Sequence, residues 1–151
     1  MRSENTAVVA AAYAALVSVG LDGFIEHWAD DVDHRAIEGA PDDCGPIRGR
    51  DAFRDYIQDW MDTFDKFMIE PVELIDAGDD LVVGVLRYGG RARLSGLEID
   101  ETFGVILTIC AGKIARGREF ATRDDAVRAA GLPNIPRQDH VQAESAWRRR
   151  G

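Results

Sequence analysis

Cysteine is scarce: the 151 residues hold two, Cys44 and Cys110, far apart and with no histidine or second thiol at metal-ligand spacing. That excludes a disulfide framework and a thiolate zinc site, and it fits a reducing cytoplasm. Positive charge is scarce as well. Lys and Arg total 18 against 27 Asp and Glu, a net charge of -9, which opposes attraction to nucleic acid phosphates or to anionic lipid. No apolar run reaches the ~20 residues that cross a bilayer. The run from Ala7 to Val19 follows Glu4, where a secretory leader would carry basic residues. The glycines around Arg48 lack the lysine and hydroxyl residue of a phosphate-binding loop, and His27 with Asp30 and Asp31 reads as a solvated helix end. A cytoplasmic protein with no cofactor, no metal, no nucleic acid and no membrane partner is therefore expected.

What is present, 46% hydrophobic and 30% charged residues, suits one soluble globular domain. Ser3 or Asn5 can cap an alanine-rich helix that runs to about Ser18 and stops at Gly20, and a short second helix follows from Asp22 to about Trp28. Val32 to Ile37 reads as a first strand, and the glycine- and proline-rich stretch from Glu38 to Gly49 as a loop. From Asp51, apolar residues recur every three to four positions at Phe53, Tyr56, Ile57, Trp60, Met61 and Phe64, which predicts a helix with one buried side. Four strands are predicted next, at Phe67 to Ile75, Leu81 to Arg93, Glu98 to Ile109 and Lys113 to Ala121. Turns at Gly78-Asp79, Ser95-Gly96 and Ala111-Gly112 suit antiparallel hairpins. A last helix, capped by Thr122 or Asp124, ends at Gly131 before Pro133. The order predicts an α+β domain over residues 1–132, with the helices on one face of a curved antiparallel sheet, and an extended or disordered C-terminal tail over 133–151.

Alternation along the strands separates candidate site residues. In the last strand Ala115, Gly117, Glu119 and Ala121 share one face, while Ile114, Arg116, Arg118 and Phe120 share the other. The arginines belong in water, so Glu119 falls on the inner face, where a carboxyl group in apolar surroundings suits a general acid or base. In the first strand Val32, His34 and Ala36 face inward by the same argument, and histidine is the side chain that gives or takes a proton near neutral pH. Each has a structural alternative: Glu119 paired with Arg87, Arg118 or a backbone amide, and His34 as a hydrogen-bonded wall residue. Trp28, Trp60, Met61, Phe64 and Phe67 are candidates to line a cavity for a flat apolar ligand, or else ordinary core. Thr102 and Asp100 would add polar contacts on the same strand face as Gly104. Phe103, Val105, Leu107 and Ile109 would then form an apolar outer face that suits a homodimer.

Taken in order, the stretches AAYAALVSVGLDGFIEHWADDV, GPIRGRDAFRDYI, IDAGDDLVV, SGLEIDETFGVILTICAGKIARGREF and TRDDAVRAAGL resemble the SnoaL-like branch of the nuclear transport factor two-like superfamily. The resemblance covers Asn5 to Leu132. It implies a cone-shaped sheet wrapped around a cavity and closed by N-terminal helices. The superfamily holds polyketide cyclases, ketosteroid isomerases, limonene epoxide hydrolases and dehydratases, together with members that carry no chemistry, so fold alone does not settle function. The resemblance makes Tyr13, in YAALVSVG, the counterpart of an oxyanion-stabilising tyrosine, and Glu119 that of the epoxide hydrolases' catalytic acid. The isomerases' two acids would fall at Ala36 and Gly104, which excludes a steroid isomerase. Of the epoxide hydrolase relay only Glu119 and Arg87 have counterparts. The expected activity is cofactor-independent acid-base catalysis on a small apolar carbonyl compound, by cyclisation, isomerisation or dehydration. Catalytic roles are expected for Glu119, His34 and Tyr13, and substrate contacts for Trp28, Trp60, Phe64, Arg87 and Thr102. The alternatives are a non-catalytic ligand-binding or dimerisation module and an epoxide hydrolase.

Overall fold

A computed structural model describes residues 3–133 except 42. The extension expected after Leu132 lies, apart from Pro133, outside the described residues. Helix α1 (Glu4–Ser18) starts where the Ser3 hydroxyl accepts the Thr6 amide, and it buries Val9, Ala12, Tyr13 and Leu16 along one stripe. A short α2 (Leu21–Ile25) leads into β1 (Trp28–Arg35), then β2 (Ile47–Arg48) and α3 (Arg50–Asp62). Strands β3 (Phe64–Gly78), β4 (Leu81–Ala92), β5 (Glu98–Cys110) and β6 (Lys113–Phe120) form a meander, closed by α4 (Arg123–Ala129). Two of its turns hold two residues with positive φ, Asp79 with Asp80 and Ala111 with Gly112, the backbone that tight hairpins require.

The curved, unclosed sheet has the order β2-β1-β6-β5-β4-β3. Its concave face carries the main core, into which α1, α2 and α3 pack. Several expectations are corrected. Trp28 opens β1 instead of ending α2, Phe64 opens β3 instead of ending α3, and the loop before α3 contains β2. The sheet is not wholly antiparallel, because β1 runs parallel to β6, with His34 beside Gly117. The helices do not all share a face: α4 covers the convex side, where Ala126 and Val127 pack on Ile75 and Val83.

The face assignment of β5 was inverted. Phe103, Val105, Leu107 and Ile109 are buried in the concave core, whereas Thr102 is exposed and Gly104 lies beneath α4. The apolar stripe expected to support a homodimer is therefore interior. The glycine explains the error: a Cβ at 104 would lie 2.7 Å from the Thr122 carbonyl oxygen and 2.8 Å from the Ala126 Cβ, so the convex face needs a bare backbone there. Ile114 is also interior, because the β5 and β6 register shifts between Thr108 and Ile109 and breaks the alternation.

Between β1 and β2 the chain is held by Asp43. Its carboxylate accepts from Arg35 Nε at 3.2 Å and from the amides of Gly39 at 2.9 Å and Gly45 at 3.1 Å. The Arg35 hydrogen bond, then those amides, hold this carboxyl well below the usual carboxylate range. A lowered native pKa stabilises the loop at every pH above the ordinary aspartate value of ~3.9, and that contribution is lost only as pH falls through the lower native value. Amide exchange of Gly39 and Gly45 is thus expected to stay protected down to about pH 4 and to rise only below it; loss of protection near pH 5 would contradict this.

Candidate functional site

Alternation in β1 and β6 aims His34 and Glu119 at the same interior point. The His34 Nε2 to Glu119 Oε2 distance is 2.8 Å, and the side chains are only 4% and 10% exposed. A carboxylate oxygen can only accept, so Nε2 carries the proton in this bond. His34 Nδ1 is buried without a hydrogen-bond partner among the described residues and lies against the backbone of Gly117. The imidazole is clamped by Phe53, with ring centroids 4.9 Å apart, and by Trp28, at 6.1 Å.

This close approach rests on a missing side chain. A Cβ at residue 117 would stand 2.5 Å from His34 Nδ1 and 3.0 Å from Cε1. Gly117→Ala is accordingly expected to push the ring off Glu119 and to cost roughly 1–3 kcal/mol through overpacking. Urea denaturation together with the histidine nitrogen signals measures both effects. An unchanged His34 spectrum would contradict the packing argument.

The pair opens on a cavity walled by Tyr13, Phe24, Trp28, Phe53, Trp60, Phe67 and Phe103, with Leu16, Ile57, Ile69 and Val105 between them. A water's centre can move through about 20 Å³ of it, room for about one water molecule. Among the described residues no lysine or arginine lines it. Tyr13 enters from α1. Burial, and secondarily the Glu119 charge, push its phenol well above its ordinary pKa, so it keeps its proton and can donate.

Of the residues expected from sequence, Tyr13, Trp28, His34, Trp60, Phe67 and Glu119 converge here. Met61, Phe64, Arg87, Asp100 and Thr102 do not line the cavity. Phe64 is buried beside Phe67 and Tyr88. Arg87 lies on the convex side, where its Nε donates to Asp100 Oδ1 at 2.7 Å and its second bond to Oδ2 is 2.6 Å. Thr102 is its exposed cross-strand neighbour. The reason is the inverted β5 face, which carries β4 with it through the register. Sequence reasoning also read Tyr56 only as part of the α3 stripe. Its hydroxyl stands 3.5 Å from both Glu119 carboxylate oxygens, at the long limit for a hydrogen bond.

The SnoaL-like domain family matches residues 9–117, most of the folded chain. The chain belongs to that family. Among solved structures, this SnoaL-like domain is similar to an NTF2-like protein from Burkholderia thailandensis E264, with 26% identity over 88% of this chain and 100% of the other and a TM-score of 0.68. A Jannaschia sp. CCS1 protein described as a SnoaL-like polyketide cyclase shares 16% identity over 88% of this chain and 98% of its own, with a TM-score of 0.68. A Mycobacterium tuberculosis protein in complex with estradiol-17β-hemisuccinate shares 16% identity over 82% of this chain and 97% of its own, with a TM-score of 0.67. No curated protein matches this chain. Among the described residues no helix is long and apolar enough to cross a membrane, and no group of three or more His, Cys, Asp or Glu side chains could hold a metal ion.

Proposed function

We propose that this SnoaL-like domain is a cofactor-independent acid-base enzyme acting on a small apolar carbonyl compound. The carrying observation is the 2.8 Å contact of His34 and Glu119 in the wall of an otherwise aromatic and aliphatic cavity. Glu119 takes a proton from the carbon beside the carbonyl, and the hydrogen bond from His34 Nε2 fixes which carboxylate oxygen stays bound. The Tyr13 hydroxyl donates to the carbonyl oxygen as it gains charge. The enolate then attacks a second carbonyl, whose oxygen takes the proton held by Glu119, takes that proton back at another carbon, or expels a hydroxyl group that leaves with that proton as water: cyclisation, isomerisation or dehydration. The complex of the Mycobacterium tuberculosis relative with an estradiol ester supports a flat, largely apolar ligand. Such a ligand needs ~300 Å³ or more, so the wall must open, and the half-buried Trp60 and Phe67 have solvent to move into.

A second reading, ligand binding without chemistry, is favoured by that small closed space and by a Glu119 already paired with His34. The epoxide hydrolase alternative loses its relay, because Arg87 stands across the sheet from Glu119 and bonds Asp100. The test is a screen of polycyclic ketones and epoxides for binding and turnover, repeated with Glu119→Gln and His34→Ala. Binding without turnover would establish the second reading. Full turnover in both variants would remove the proposed roles.

A further inference from the structure

Trp28 opens β1, is 1% exposed and lines the cavity. Its indole packs on Phe53, Phe24 and His34, with ring centroids 4.2, 5.5 and 6.1 Å away, and these three rings are themselves cavity wall. The Trp28 carbonyl accepts from Arg50, but the indole Nε1–H is buried with no hydrogen-bond partner among the described residues. An indole nitrogen can only donate. Left unpaired, it loses its hydration and gains nothing in exchange, which is why buried donors in native proteins find protein, water or ligand. The carboxylate of the wall, Glu119, gives its Oε2 to His34 and leaves the indole unserved. Within this shell of rings, the cavity is the room into which an acceptor can come.

We propose that Trp28 Nε1–H donates to a neutral oxygen atom of the bound ligand, so that the cavity selects flat apolar compounds that carry such an oxygen over hydrocarbons of the same shape. A hydrocarbon leaves the donor unpaired, whereas an oxygen satisfies it. A site built on a hydrogen bond rejects the analogue lacking it far more strongly than an apolar wall can. The Glu119 carboxylate on the same wall turns the choice against anionic oxygens, because two like charges in apolar surroundings repel. Tyr13 from α1 and Trp28 from β1 both pack on Phe24, at 5.2 and 5.5 Å between ring centroids. Two donors on different elements thus flank one ring of the wall. This inference rests on the apolar carbonyl ligand of the reading given above and on no proton transfer.

The probes are methyl naphthyl ketone and isopropenylnaphthalene, which differ only in a C=O in place of a C=CH2. In nitrogen-labelled protein the ketone is expected to move the Trp28 indole N–H proton signal downfield, as a new hydrogen bond does, and the alkene to leave it where it was. The preference for ketone over alkene, measured as a ratio of affinities, is expected to fall about tenfold in Trp28→Phe. Benzothienylalanine placed at residue 28 alone puts sulfur where the N–H was and keeps the size of the ring, so it is expected to lower the preference alike even where the smaller phenylalanine upsets the core. A tryptophan that only packs predicts equal weakening of both probes and an unchanged preference. That result in the benzothienyl variant overturns the proposal, as does a Trp28 signal that the ketone leaves in place, whether the ketone binds elsewhere or not at all. A shifted signal and a lost preference in a protein that turns over no ketone would leave the donor standing and remove the enzymatic reading. Turnover of a ketone that leaves the Trp28 signal unshifted would do the reverse.

Discussion

Glu119→Gln is expected to lower turnover by about 10²–10⁴-fold, the range of a positioned acid-base group, while ligand affinity stays within about tenfold. At 10³-fold this is about 4 kcal/mol of lost transition-state stabilisation. The substitution isolates proton transfer because it is isosteric. The glutamine oxygen still accepts from His34 Nε2, so the ring held between Phe53 and Trp28 has no reason to move. His34→Ala is expected to do less, because the carboxylate survives and loses only the bond that orients it. It should act mainly on kcat, since the carboxylate that His34 orients is the group that moves the proton. Steady-state kinetics on the first substrate found decides the matter. A Glu119→Gln enzyme within threefold of wild type would remove Glu119 from the chemistry.

Local rules were enough to bring the pair together on paper. Two-residue alternation in β1 and β6 put His34 and Glu119 on inward faces, and the serine before α1 and the stripe of α3 gave two of the three helices that close the cavity. The failures share one cause, which is that alternation tells which residues share a face and not which face is inside. In β5 the polar set of Asp100 and Thr102 with Gly104 was turned inward, yet the more apolar set is core. What decides the matter is α4 seated on Gly104, a contact between segments that no local pattern reveals. Arg87 and Thr102 were lost with it, because register ties β4 to β5. The parallel pairing of β1 with β6 was equally hidden, since it joins strands at opposite ends of the chain. Tyr56 was visible only as an apolar position. Its hydroxyl acquires meaning from Glu119, 63 residues away.

Glu73→Ala is expected to destabilise the fold by about 3 kcal/mol, the lower end of the cost of breaking a buried ion pair, because Arg123 keeps Asp124 Oδ1 at 3.6 Å. Arg123 opens α4, and its Nε donates to Glu73 Oε1 at 2.7 Å while its second bond to Oε2 is 3.1 Å, with both side chains under 10% exposed. That pair, rather than helix propensity, holds α4 in place, because seven residues are too few for a helix to be stable alone. The Thr122 cap and the packing of Ala126 and Val127 on Ile75 and Val83 add to it. Replacing both partners, Glu73→Leu with Arg123→Met, removes the charges together and is expected to restore most of the loss, since desolvation of an ion pair offsets much of its attraction. Urea denaturation of the two variants separates the cases, and a single-variant loss below ~1 kcal/mol would mean that packing alone seats α4. The consequence reaches the site. Beneath α4 lies Gly104, whose cross-strand partner is Phe120, and the next rung of that ladder pairs Val105 with Glu119. A helix loosened by Glu73→Ala therefore frees the rungs that aim the carboxylate, and turnover is expected to fall together with stability although residue 73 touches no part of the cavity.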